Sequence, residues 1–255
     1  MPMQGPIHYR FDGPDDAPVL VMAHSLGIHH GLWDPQLPAL GARFRLLLYD
    51  ARGHGRSQVT PGPYTIERLG RDVVDLLDGL GIERAHFCGL SIGGAVGIWL
   101  ALSAPGRIRR LILANTAARI GTAEMWNARI EAVRAGGVAA VAPMQMERWF
   151  TPAFRERAPE AVDRARQMLL AAPIEGYLGA CAAVRDMDAR DQVAGISVPT
   201  LVISGTHDAT APAADGQYLA ERIPGARYLE LPAAHLSNIE AADRFGAAVT
   251  EFLEA

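Results

Sequence analysis

Apolar residues along this chain fall into short continuous runs and longer periodic ones, and the two kinds alternate. The continuous runs lie at Val19 to Ala23, Arg45 to Tyr49, Ala85 to Cys88, Ile108 to Ala114, Thr200 to Ser204 and Ala226 to Leu231. Most lack a polar alternation, which predicts strands buried on both faces. From Thr65 to Leu80, the residues Ile66, Leu69, Val73, Leu76, Leu77 and Leu80 recur at helical spacing, and Gly81 follows as a stop. This alternation predicts an α/β fold with a mostly parallel, doubly wound sheet.

The alternation breaks between Thr116 and Pro199, where no strand pattern occurs and Ala123 to Ala135 and Ala161 to Leu170 read as helices. A structureless loop of roughly eighty residues is improbable in a domain of this kind. The stretch is therefore expected to be an inserted helical cap over the carboxyl ends of the strands, where open α/β sheets bind ligands. Residues 1–116 and 199–255 then form the core domain, and residues 117–198 the cap. There is no internal repeat and no low-complexity tract.

A chain of 255 residues can bury a sizeable core as one such domain. Its net charge of −4, with 20% charged residues and no basic stripe, argues against nucleic acid as a partner. No apolar run is long enough to span a membrane, and residues 1–6 lack the charged and apolar regions of a signal peptide. The expectation is a soluble, cytoplasmic protein acting on a small molecule. Cys88 and Cys181, the two cysteines, fit a reducing compartment and read as core thiols.

Gly89-Leu90-Ser91-Ile92-Gly93 is a G-x-S-x-G pentapeptide between a strand pattern and a helix pattern. That setting makes it a candidate nucleophile elbow, in which flanking glycines allow a tight turn and close helix packing. A serine hydroxyl needs a base, and the base an orienting acid. Asp208 follows the run Thr200 to Ser204, and His235 follows the run Ala226 to Leu231. Ser91, Asp208 and His235 are the candidate catalytic residues, in the chain order of the α/β-hydrolase triad. Read alone, Asp208 is equally a turn residue or a cap for the helix pattern from Ala213 to Arg222.

His24-Ser25-Leu26-Gly27 follows the first of these runs, where such enzymes place half of an oxyanion hole. The backbone N–H groups of Leu26 and Ile92 are the candidate donors, each contributing on the order of 3 kcal/mol in comparable sites. Ser25 either touches substrate or fills space. His24, His29 and His30 cluster, but no acidic or cysteine ligand accompanies them at metal-binding spacing, so no metal is assigned. The charged box from Asp50 to Ser57 reads as a structural loop beside the site.

Several segments together resemble the α/β-hydrolase superfamily and, within it, the 3-oxoadipate enol-lactonases. The broad ones are Ser25-Leu26-Gly27, the box Tyr49 to Gly55 and the pentapeptide itself. The narrow ones are Asn115-Thr116-Ala117-Ala118-Arg119-Ile120-Gly121, Arg148-Trp149-Phe150 and His235-Leu236-Ser237-Asn238-Ile239-Glu240. The resemblance implies a cofactor-free serine hydrolase that opens 3-oxoadipate enol-lactone to 3-oxoadipate through an acyl-enzyme, in the protocatechuate branch of aromatic degradation. A general carboxylesterase or a cofactor-free perhydrolase is the alternative on the same fold, and a non-enzymatic ligand receptor a third. The implied substrate carries a carboxylate, which an apolar pocket must meet with a cation or strong donor. Arg119 and Trp126, at the start of the cap, are the candidates, with domain packing as their alternative role. Trp149 reads as core first and as a substrate contact second.

Overall fold

The computed structural model describes residues 7–255. Each apolar run is a strand: β2 (Val19–Ala23), β3 (Arg45–Tyr49), β4 (Ala85–Leu90), β5 (Ile108–Ala114), β6 (Thr200–Gly205) and β7 (Arg227–Leu231). They pair in parallel. A seventh strand, β1 (Tyr9–Asp12), adds antiparallel to β3 and completes the sheet order β1-β3-β2-β4-β5-β6-β7. The sequence pattern does not reveal β1, because four half-buried residues on an edge are too few to establish a period.

β3 lies on one side of β2 and β4 on the other, so the chain reverses its direction of winding between β2 and β4. The loops leaving those two strands part around a crevice, the position where sheets of this type bind ligands. Ala23 at the end of β2 is in register with Gly89 on β4, which brings His24–Gly27 and Ser91 to the mouth of the same crevice.

Helix Ile66–Gly79 forms where the periodicity predicts it. The Thr65 side chain accepts from the Arg68 N–H at its start, and Gly81 takes a φ of 67° beyond its end. Ile66, Leu69, Val73 and Leu77 form its buried face. Helix Ile92–Ser103 is instead buried on nearly every side, as its apolar composition requires.

Between β5 and β6 the described residues contain no strand. Helices Ala123–Gly136, Ala142–Trp149, Pro152–Arg157, Pro159–Leu170 and Ile174–Asp186 fill the interval. The two ends of the insertion meet, the Ala189 N–H donating to the Ala118 carbonyl at 2.8 Å. Its helices rest on loops at the carboxyl side of the sheet. A methyl group at Gly27, after β2, would lie 2.6 Å from Leu169 Cδ1, and one at Gly176 would lie 1.9 Å from the Gly53 carbonyl oxygen, after β3. After β7, Leu236 N–H donates to the Trp149 carbonyl at 3.1 Å. Trp149, Phe150 and Tyr177 of the insertion are fully buried in the same hydrophobic cluster as the strands. No single helix among the described residues is long and apolar enough to cross a membrane.

The box after β3 is held by paired polar groups. Arg52 grips Asp72 of helix Ile66–Gly79 side-on, Nε to Oδ2 at 2.7 Å and Nη2 to Oδ1 at 2.5 Å, with both residues buried. Removing one partner strands the other charge, a loss of about 3–5 kcal/mol. Asp72→Ala is therefore expected to lower unfolding free energy by that amount in urea titration, and Arg52→Met/Asp72→Leu to recover most of it. If the single variant loses less than about 1 kcal/mol, the pair is not a structural clamp.

Candidate active site

Ser91 stands between β4 and helix Ile92–Ser103 with φ 59° and ψ −118°, a strained combination for a residue with a side chain. The chain on either side explains how it is held there. A methyl at Gly89 would fall 2.1 Å from the Gly93 carbonyl oxygen, and one at Gly93 would fall 2.3 Å from that of Ala23. Only hydrogen at those two positions lets the helix approach both its own strand and β2. The Ser91 N–H donates to the Ala114 carbonyl at 2.9 Å, and its carbonyl accepts from Thr116 Oγ1 at 2.8 Å, so β5 clamps the turn from behind.

His235 and Asp208, from the loops after β7 and β6, are hydrogen-bonded at 2.8 Å between Nδ1 and Oδ2, and both are buried. Burial pushes the Asp208 carboxyl up. The charge and hydrogen bond of His235, the N–H of Ala211 and the amide of Asn115 more than reverse this, and its pKa lies below the usual value. An ionised carboxylate only accepts, so Nδ1 of His235 carries the proton and Nε2 is left as the basic nitrogen. Among the described residues Ser91 and His235 share no hydrogen bond. In enzymes of this kind that bond often tightens only in the substrate complex.

Asn115, at the end of β5, is a support the sequence reading passed over. It sits at φ 47°, a region asparagine tolerates better than most residues, and there its side chain reaches three partners. Nδ2 donates to Asp208 Oδ2 at 3.0 Å and to the Ala234 carbonyl at 3.3 Å, while Oδ1 accepts from Ser237 Oγ. The narrow His-x-Ser-Asn-x-Glu segment thus acquires a physical meaning. Ser237 ties to Asn115, Asn238 Nδ2 donates to the Leu32 carbonyl at 2.9 Å, and Glu240 accepts from Ala234 N–H at 3.0 Å and from Thr151. Each polar residue locks the loop that carries His235.

The N–H groups of Leu26 and Ile92 donate to no protein acceptor among the described residues. Two neutral histidines hold the Leu26 loop. His24 Nε2 accepts from Ala51 N–H at 2.8 Å, so Nδ1 donates to the Ser25 carbonyl at 2.8 Å. His54 Nε2 accepts from Gly27 N–H at 3.0 Å. Burial and the neighbouring His54 hold His24 down to about 3, so neither ring is a cation at neutral pH. Ser25 is buried between these two anchors. Both cysteines are buried, and burial pushes the thiol of Cys181 up to about 12 and that of Cys88 up as well, so neither supplies a thiolate.

Ligand atoms of His8, His30 and Asp50 all lie within 4.8 Å of one another. Asp50 is already committed, accepting from the N–H and Nδ1 of His30 and from the Arg56 N–H, which makes the trio a loop clamp.

The cap candidates fare differently. Arg119 is partly exposed, and its guanidinium lies 3.7 Å from the Asp188 carboxylate. Trp126 is buried, but its indole N–H is spent on the Ile120 carbonyl at 2.6 Å and has none left for a ligand. Trp149 is fully buried and meets the loop that carries His235 through its backbone carbonyl, as a core residue would. The cation overlooked is Arg129. It lies on the buried face of helix Ala123–Gly136 with Trp126, Ile130 and Val133, and an arginine at a core-facing position of a periodic helix was the available signal.

A protein-family model described as the alpha/beta hydrolase fold matches residues 18–242. Two proteins of Acinetobacter baylyi named 3-oxoadipate enol-lactonase are similar to this chain. One is 41% identical over 92% of this chain and 88% of its own length, the other 42% over 95% and 91%. The crystal structure of the enol-lactonase from Burkholderia xenovorans LB400 superposes with a TM-score of 0.96 at 48% identity, covering 98% of this chain and 96% of that one. Matches of this extent show that the chain belongs to the alpha/beta hydrolase fold family.

Proposed function

We propose that this hydrolase opens 3-oxoadipate enol-lactone, with Ser91 as nucleophile, His235 as base and Asp208 as the acid that fixes its tautomer. The observation that carries the chemistry is the buried His235–Asp208 pair, tied through Asn115 to the end of β5 that also holds the strained Ser91 turn. The similarity to proteins named 3-oxoadipate enol-lactonase supports the choice of ester. Residues 117–198 act as a cap, and a small lactone is the partner.

Nε2 of His235 takes the proton of Ser91 as Oγ adds to the ring carbonyl. Charge on the carbonyl oxygen is met by the N–H groups of Leu26 and Ile92, and helix Ile92–Ser103 points its positive end there. Collapse of the tetrahedral adduct breaks the ring C–O bond and forms the acyl-enzyme. The leaving oxygen departs as an enolate, takes the proton from His235 and tautomerises to the ketone. Water, deprotonated by the same nitrogen, then adds to the acyl carbon, and Ser91 leaves with that proton. In the pathway of the resembled family this product is 3-oxoadipate, formed in the protocatechuate branch.

A phenoxide leaves at least as readily as an enolate, so a strong preference for the enol-lactone over simple aryl esters, which the proposal predicts, has to come from the fit of the lactone in the site. Side-by-side kcat/KM values test it. Aryl esters ahead by orders of magnitude would instead identify a general esterase.

A further inference from the structure

We infer that Arg129 is the residue that receives a carboxylate of the substrate, which makes this site selective for anionic esters. The inference rests on ester cleavage by Ser91 at this site, and it names the part of the substrate that the insertion reads.

Arg129 is 5% exposed, yet its Nε and Nη2 have no hydrogen-bond partner among the described residues. The Trp126 ring lies 4.6 Å from its Cζ. A cation over a ring uses the flat face of the guanidinium and leaves the in-plane donors free. Nε and Nη2 form the side-on edge that fits the two oxygens of a carboxylate. This protein shows the fit elsewhere, for Arg52 holds Asp72 with the same two atoms. In Arg129 that edge is buried and unpaired, a costly state that a bound anion relieves.

The edge belongs to the crevice and not to a remote part of the insertion. Tyr177 lies beside Arg129, whose charge and side-chain contact with the hydroxyl both oppose the upward push that burial exerts on the phenol, although the hydroxyl makes no well-formed hydrogen bond. On its other side the Tyr177 ring abuts the Leu26 loop, since a methyl at Gly27 would fall 2.8 Å from its Cε2. Tyr177 thus stands between the guanidinium and the loop that carries Leu26. An ester bound at Ser91 with a short carboxylate arm brings that arm toward Arg129, with the Tyr177 hydroxyl available as a further donor.

The test compares the 4-nitrophenyl monoester of glutaric acid with neutral 4-nitrophenyl butyrate, in wild type, Arg129→Met and Arg129→Lys. Methionine fills the space without the charge, and thermal unfolding checks that each variant is folded. Arg129→Met is expected to raise KM for the anionic ester roughly 10- to 100-fold and to leave kcat/KM for the butyrate within about threefold. Arg129→Lys, which keeps charge but loses the two-pronged edge, should fall between. Equal losses on both esters, or no change on the anionic one, would overturn the inference. An enzyme that discriminates the two esters through Arg129 but ignores the enol-lactone would retain the carboxylate site and reject the lactone. An enzyme that opens the lactone equally well as Arg129→Met would do the reverse.

Discussion

Ser91→Ala is expected to cut kcat on the enol-lactone roughly 10⁴- to 10⁶-fold while changing KM little. The serine supplies the only bond to carbon that the proposed first step forms, so no neighbour can share its loss. The oxyanion donors at Leu26 and Ile92 remain, and they leave a residual rate above that of water. Alanine suffers the same positive φ of 59° as serine, and Ser91 makes its clamping hydrogen bonds through its backbone. Thermal unfolding should therefore match wild type closely. Burst kinetics with a chromogenic ester offer a second reading, since the variant has no oxygen to acylate. Turnover at the wild-type rate would remove Ser91 from the mechanism altogether.

Asp208→Asn follows as the second large effect, a fall of about 10⁴ in kcat by comparison with the same change in a serine protease triad. The carboxylate accepts from His235 and Asn115 through Oδ2 and from the N–H groups of Thr210 and Ala211 through Oδ1. An amide has one accepting end. Turned toward Thr210 and Ala211, it presents NH₂ to His235 and forces the proton onto the wrong ring nitrogen. Asn115 cannot flip to compensate, because its Oδ1 accepts from Ser237. Activity should fall together with about 1–3 kcal/mol of stability, a pairing that urea titration and kinetics can both read. Full activity in Asp208→Asn would mean that another group orients His235.

The parallel strands were legible because each is a continuous apolar run, and the order Ser91, Asp208, His235 because each residue follows such a run. What the sequence hid was set by distant partners. Asn115 looks like one polar residue in a narrow motif until β5 is laid beside the loops of β6 and β7. His24 stands in a histidine cluster that invites a metal reading until its ring is seen accepting the Ala51 N–H. Arg119 drew attention by standing within a distinctive segment, yet Arg129, ten positions on in the chain, is the cation that burial leaves unpaired. A charge is informative here through what surrounds it, and surroundings belong to the fold.

The hydrogen bond between Ala118 and Ala189 has a bearing on how this protein could change. Because both ends of the insertion return to one point between neighbouring parallel strands, its length can vary without moving β5 or β6. Closing a longer or shorter excursion there alters chain entropy only slowly with length. Selection can therefore lengthen or shorten the helices between 123 and 186 while Trp149, Phe150 and Tyr177 keep their places in the shared core, and the Ser91 turn is left untouched.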